Sequence, residues 1–214
     1  MRNKFDMQLE LLNEQLTHMG ELCEIAINRA TRALQEEDLE QAREIIQADE
    51  AIDHMEKDIE RMCLKLLLQQ QPVARDLRQI SAALKMITDM ERIGDQTADI
   101  ADIVISANIG KQDLSKIGDM AAGTAKMVRN SVAAYVKRDL ELAKKVMEAD
   151  EAIDAAFDLI KEELITHIVS GEDDGKAIDL IMIAKYLERI GDHATNIAEW
   201  VEFSITGIHK GQNV

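Results

Sequence analysis

Proline occurs once in these 214 residues, glycine ten times, and aromatic side chains make up only 3% of the chain. Strands are built from β-branched and aromatic residues, and the turns that join them need Gly and Pro. An all-β fold is therefore excluded. Cysteine is almost as scarce. Cys23 and Cys63 sit in apolar helical patterns, and neither belongs to a CxxC pair. They are expected to be reduced core thiols, as in a cytoplasmic protein. No run of 18 apolar residues exists, and the N-terminal MRNKFDMQLE has no apolar signal core. Neither a membrane span nor a secretion signal is expected. Positive charge is also short: 25 Lys and Arg stand against 41 Asp and Glu, a formal net charge of −16. Such a chain repels nucleic-acid phosphates and anionic lipid rather than binding them. It favours cations, basic protein partners or plain solubility. Phosphate-binding GxxxxGK[ST], the GxSxG elbow and zinc-type Cys/His spacing are all missing. No glutamate has a histidine three residues later, so the di-iron bundle pattern is missing too.

What is present is Ala, Leu, Ile, Met, Glu and Lys, the composition of helices. The apolar fraction of 46% is too high for a disordered chain.

An internal repeat organises the sequence. Ala48-Asp-Glu-Ala-Ile-Asp53 returns 101 positions later as Ala149-Asp-Glu-Ala-Ile-Asp154, and at the same offset Asp38-Leu39-Glu40 matches Asp139-Leu140-Glu141. Glu91-Arg-Ile-Gly-Asp95 returns as Glu188-Arg-Ile-Gly-Asp192 at an offset of 97. The four-residue difference falls between LLLQQQPVARD and HIVSGEDDGK, both loop-like, where length changes are tolerated. The chain is thus expected to be a tandem duplication, residues 1–109 and 110–214, with three helices in each copy.

In copy one the first helix, about Lys4 to Leu34, carries Leu12, Leu16, Met19, Cys23, Ala26, Ala30 and Ala33 as its apolar stripe. A break at Glu36-Glu37-Asp38 follows. The second helix carries Ile45, Ala48, Ile52, Met55, Ile59, Met62 and Leu66, and the third is expected to run from about Pro72 to Asn108, with Gly110 marking the join. Copy two repeats the scheme, with breaks at Arg138-Asp139 and Gly171-Glu-Asp-Asp-Gly175. Stripes stepping four and three residues belong to long antiparallel helices packed at shallow angles. The expected fold is all-α, two duplicated three-helix bundles side by side, rather than one continuous six-helix array.

Most carboxylates are expected to be solvated helix surface. A few stand out by position. In the third helix the stripe Ile80, Leu84, Ile87, Glu91, Gly94, Ala98, Ala101, Ile105 places a glutamate on the seam. Asp95 follows one turn later, about 40° around the helix. Copy two puts Glu188 and Asp192 in the same places beside Gly191. A carboxylate in an apolar seam is costly unless protonated, paired or metal-bound, and glycine weakens a helix. Two local penalties at one place, in both copies, mark a candidate site. On the second helix Asp49 and Asp53 flank Ile52, and Asp150 and Asp154 flank Ile153. If the pairs converge, four carboxylates meet in each bundle, an oxygen-rich set suited to Mg, Ca, Mn or Fe. Ordinary readings compete. The Asp pairs can be the polar edge of an amphipathic helix, and Glu91 and Glu188 can be neutralised by arginine. Arg92 and Arg189 point about 100° away from them, so an arginine from another helix is the expected partner. His54 and His193 are expected to be surface residues, and the methionines core filler.

Two three-helix copies, each with D-x-x-x-D and then ERIGD, resemble the PhoU proteins, accessory regulators of bacterial phosphate uptake. Gln71-Pro-Val-Ala-Arg-Asp-Leu-Arg78 resembles that family's loop-to-helix segment in the first repeat, and Glu188-Arg-Ile-Gly-Asp-His-Ala-Thr-Asn-Ile-Ala198 its most typical string in the second. The resemblance spans nearly the whole chain. It implies no catalysis. It implies multinuclear clusters of iron or zinc on the E/D-x-x-x-D motifs, here Asp49, Asp53, Glu91 and Asp95, and Asp150, Asp154, Glu188 and Asp192. Asp99 extends the first set, but its counterpart is Asn196, so the clusters are expected to differ. The resemblance further implies a cytoplasmic homodimer, peripheral to the membrane. It would couple the ATPase subunit of the phosphate ABC transporter to a sensor histidine kinase and repress the phosphate-starvation response. Two other functions stay open from the residues: a carboxylate-bridged metal enzyme (hydrolase or oxidase), and a metal-free scaffold with its acids in salt bridges.

Overall fold

A computed structural model describes residues 2–69, 73–107, 109, 112–171 and 175–208. They form six helices: α1 (Arg2–Glu36), α2 (Leu39–Gln69), α3 (Ala74–Ser106), α4 (Ser115–Lys137), α5 (Leu140–Ser170) and α6 (Ala177–Thr206). At about 1.5 Å per residue these are rods about 35–52 Å long. The α3 ends expected at Pro72 and Asn108, and the join at Gly110, lie outside the described residues.

The repeated Asp-Leu-Glu string turns out to encode a corner. After α1, Glu37 takes a left-handed conformation (φ 55°), and Asp38 Oδ1 then accepts the N–H groups of Glu40 and Gln41 at 3.1 and 2.9 Å. After α4, Arg138 is left-handed (φ 54°), and Asp139 Oδ1 accepts the Leu142 N–H at 3.0 Å. A left-handed residue closes one helix and the aspartate caps the next. The chain reverses within three residues, which forces α1 and α2, and α4 and α5, to run antiparallel. The second copy's other predicted break is also confirmed at its start, where Gly171 closes α5 in the left-handed region.

Packing follows the stripes. Leu12, Leu16, Met19, Cys23, Ala30 and Ala33 of α1 are buried, as are Ile45, Ile52, Ile59 and Leu66 of α2. Ala48, placed on the seam by periodicity, is exposed. Both cysteines are free and buried, and burial pushes each thiol up to about 12, so they are inert core groups.

Within each copy the three helices pack on one another. Between copies α1 packs on α4 and α3 on α6, so α1, α3, α6 and α4 form a ring, with α2 and α5 on its outer flanks. One hydrophobic core runs through both bundles. Both joining pairs are antiparallel: Glu24 meets Arg129 at 2.7 Å across α1 and α4, and Asp89 meets His193 at 2.8 Å across α3 and α6. Gln96 and His193 occupy equivalent positions of the two copies and touch each other at 3.1 Å. The pseudo-twofold axis of the duplication therefore passes close to them.

Candidate metal centre

The first site lies in the groove between α2 and α3. Because these helices are antiparallel, Asp49 faces Asp95 while Asp53 faces Glu91. Asp49, Asp53 and Asp95 each offer a carboxylate oxygen within 4.8 Å of the others, all partly buried. Gly94 permits this closeness. A Cβ there would fall well inside 3.0 Å of Asp49 Oδ1 and 3.1 Å from Ile52 Cδ1. Glu91 stands beside the cluster with its side chain 28% exposed. Periodicity put it in the seam; it occupies the seam's mouth. Asp99, one turn further along, is exposed and lies outside the group of three.

The electrostatics are those of crowded, half-buried acids. Burial, then the charges of Asp53, Asp95, Glu91 and Asp99, push the Asp49 carboxyl up to about 6. Burial and then Asp95 raise Glu91, while Arg92 works the other way. Asp49 Oδ1 and Asp53 Oδ1 are shielded from solvent with no hydrogen-bond partner. Buried acceptors without partners are costly, and a bound cation satisfies several carboxylate oxygens together. The donor set is entirely oxygen, which fits a hard or borderline cation.

The second site repeats the layout between α5 and α6. Burial and the charges of Asp154 and Asp192 push Asp150 up to about 6 against an opposing contact from the Thr195 hydroxyl, and no well-aligned hydrogen bond reaches Asp150 Oδ1. Burial, then Glu188 and Asp154, raise Asp192. Its oxygens are less tightly gathered, and Asp154 and Asp192 are more exposed than their counterparts in copy one. Glu188 is engaged by Lys185 at 2.5 Å.

Three residues behave differently from expectation. Arg92 does reach the acids beside it, with Nη1 3.1 Å from Asp95 and Nε 3.6 Å from Glu91. A long guanidinium stem bridges the angular offset that Cβ directions alone suggest, and i,i+3 spacing was the available signal. Lys185 has the same i,i+3 relation to Glu188. His193 is not a surface residue: its ring lies between Asp89 and Gln96, and Asn196 Nδ2 also donates to Asp89 at 3.2 Å. His54 is on the surface as expected, bonded to its own helix at Glu50 O.

Comparison with known proteins gives the same layout. The PhoU domain family matches twice, over residues 16–104 and 117–201. This chain belongs to the PhoU family. It is 37% identical over 212 residues to a phosphate-specific transport system accessory protein PhoU homolog of Clostridium acetobutylicum, covering 96% of each chain. An Aquifex aeolicus homolog is 37% identical over 189 residues, covering 87% of this chain and 86% of that one. The crystal structure of PhoU from Pseudomonas aeruginosa superposes with a TM-score of 0.89 at 31% identity, over 95% of this chain and all of that one. The phosphate transport system regulatory protein PhoU of Streptococcus pneumoniae gives 0.90 at 27% identity, over 95% and 98% of the two chains. Membership makes this PhoU protein an accessory and regulatory protein of phosphate transport, not an enzyme. Among the described residues no helix is long and apolar enough to cross a membrane.

Proposed function

We propose that this protein is a metal-binding regulatory adaptor. It represses the phosphate-starvation response by coupling the ATPase subunit of the phosphate ABC transporter to a membrane-bound sensor histidine kinase. It acts as a cytoplasmic homodimer and reaches the membrane through those partners. Residues 1–109 and 110–214 each contribute one metal site, at Asp49, Asp53, Glu91 and Asp95, with Asp99 at its edge, and at Asp150, Asp154, Glu188 and Asp192. Iron or zinc is the resident metal. The all-oxygen donor set would also accept Mg, Ca or Mn and favours iron over zinc.

One observation carries the metal reading: three carboxylates converge beside Gly94 with two orphaned oxygens, and among the described residues no buried cationic side chain satisfies them. Bound metal would hold α2 to α3 across this groove, so loading would alter the shape and charge that a partner meets. The formal charge of −16 suits docking on basic partner surfaces. The test is elemental analysis of protein purified without chelators or a metal-binding tag, alongside the Glu91→Ala/Glu188→Ala double variant. Metal in the parent, its loss in the variant, and weakened capture of the ATPase subunit and the kinase are expected. Unchanged metal content would sink the site assignment. The Lys185–Glu188 ion pair favours the metal-free scaffold reading for copy two alone, and metal confined to copy one would support it.

A further inference from the structure

One place in this acidic chain concentrates the opposite sign. Arg75 and Arg78 lie on the first turns of α3, and Arg138 forms the corner between α4 and α5. Arg138 Nη1 donates to Gln79 Oε1 at 3.3 Å, and the Tyr135 hydroxyl donates to the Gln79 carbonyl at 2.7 Å, so the corner is fixed against the start of α3. Arg75 precedes Gln79 by four residues and therefore shares its helix face. Burial lowers the Arg138 pKa, and the positive fields of Arg75 and Arg78 lower it further; Tyr135 and Asp76 offset part of this.

Among the described residues none of the three guanidinium groups has a carboxylate within 4.0 Å. Arg78 is positioned by packing instead: its Cδ, Nε and Cζ lie 3.6–3.7 Å from the place a Cβ would take on Gly207, and its Nε is shielded without an acceptor. The helix end beside them is uncapped by side chains. Val73 in the cap position makes no side-chain bond, and the first N–H groups of α3 have no intrahelical acceptor.

The repeat shows that this concentration is local to one copy. Arg138 occupies the place of Glu37, and both are left-handed. The stretch of copy two corresponding to Arg75–Arg78, around Gly171-Glu-Asp-Asp-Gly175, has no arginine. The cluster is also separate from the carboxylates, about 20–24 Å along α3 from Glu91.

We propose that Arg75, Arg78 and Arg138, with the free N–H groups at the start of α3, form a binding site for a phosphate-class oxyanion, either inorganic phosphate or a phosphate monoester. Guanidinium forks match a tetrahedral oxyanion and bond it with charge assistance. A helix N-terminus adds N–H donors and the positive end of its dipole. The site stands independently of metal binding and of the adaptor role.

The test is calorimetric titration of the full chain, kept metal-free with chelator, with inorganic phosphate and separately with glycerol phosphate. Saturable binding with Kd at or below about 1 mM is expected for one of them, and whichever binds names the source. Arg75→Gln and Arg138→Gly should each weaken it by about tenfold or more, while Arg32→Gln, at an exposed arginine paired with Glu36, leaves it unchanged. Glycine accepts the left-handed backbone at position 138, so loss there reads the guanidinium and not a failed fold. Absence of saturable binding for both compounds overturns the proposal. So does binding that survives both arginine variants, or that chloride at equal ionic strength removes. Arginine-dependent capture of a polyglutamate peptide, with no response to either phosphate compound, also overturns it and assigns the cluster to protein docking.

Discussion

Alanine at Gly94 and alanine at Gly191 are the same change at equivalent positions, yet the structure predicts different results. In both helices alanine is worth about 0.5–1 kcal/mol over glycine through backbone entropy. At Gly191 the new methyl would meet Ile153 Cγ2 at 3.3 Å and Asp150 Oδ1 at 3.4 Å, which a shift of Ile153 by a few tenths of an ångström relieves. Gly191→Ala should therefore stabilise the protein by up to about 1 kcal/mol. At Gly94 the methyl would overlap Asp49 Oδ1 and press on Ile52 at two atoms, 3.1 and 3.3 Å away. The carboxylate can swing aside, but Ile52 is buried and cannot move freely. Overpacking of this kind costs about 1–3 kcal/mol, so Gly94→Ala should lose about 0–2.5 kcal/mol after the helix gain. Displacing Asp49 also breaks up the group of three oxygens, and metal affinity in copy one should fall by at least about tenfold. The assay is urea unfolding of chelated protein followed by helical circular dichroism, with metal titration of the same samples. Equal stabilisation by both substitutions, with copy-one affinity intact, would refute the claim that Gly94 exists to admit Asp49.

Asp49→Asn removes a half-buried charge facing like charges, so it should raise the stability of chelated protein while abolishing copy-one metal binding; a variant that loses both is a misfolded one and would contradict this. The pH dependence has a definite sign. Asp49 and Asp150, raised to about 6 in the folded chain from 3.8, contribute stability that is full below about pH 4 and is lost as pH rises through about 6. Protons compete with metal for the same oxygens, so the gap in melting temperature between loaded and chelated protein should widen from about pH 5 to about pH 7, and a constant gap would count against carboxylate ligation. Tyr135→Phe removes the buried hydrogen bond to the Gln79 carbonyl and should cost about 1 kcal/mol in urea unfolding without changing metal content.

Helix number, order and antiparallel sense were legible because each stripe is long and each corner carries a repeated string. Asp38-Leu39-Glu40 and Asp139-Leu140-Glu141 look like mere similarity in sequence, but they are the aspartate caps that turn the chain. The pairing of bundles was less legible. Which faces of α3 and α6 meet depends on small residues and on polar contacts such as Asp89–His193, and a histidine on a helix flank has the same periodicity whether it faces water or another bundle. At the site, four positions per copy could be marked because one glutamate breaks the apolar stripe and three aspartates sit beside it in both copies. Their state of pairing could not. Arg92 and Lys185 reach their acids through flexible stems, and stem conformation leaves no periodic trace.

The two sites began as copies and have diverged in charge, which leads to a last prediction. Copy one surrounds its groove with Asp49, Asp53, Glu91, Asp95 and Asp99, and Glu56 adds its field to that on Glu91. In copy two the position of Asp99 holds Asn196, that of Glu56 holds Phe157, and that of Thr88 holds Lys185. Lys185 lies 2.5 Å from Glu188 and 5.2 Å from the Phe157 ring centroid, so it is held over the site by a charge on one side and an aromatic face on the other. Three substitutions thus change the second groove in one direction, from repulsion that a cation must relieve to repulsion already relieved by the chain's own lysine. A metal there must displace an ion pair before it gains glutamate as a ligand. Copy one should therefore bind first and more tightly. Restoring the copy-one residues through Lys185→Thr with Asn196→Asp should raise copy-two affinity by about tenfold or more, the worth of one charge-assisted partner lost to competition. It should also bring the two binding steps closer together in a metal titration. If the steps keep their separation, the internal lysine is not what distinguishes the sites, and the difference must come from how closely α5 approaches α6 at Gly191.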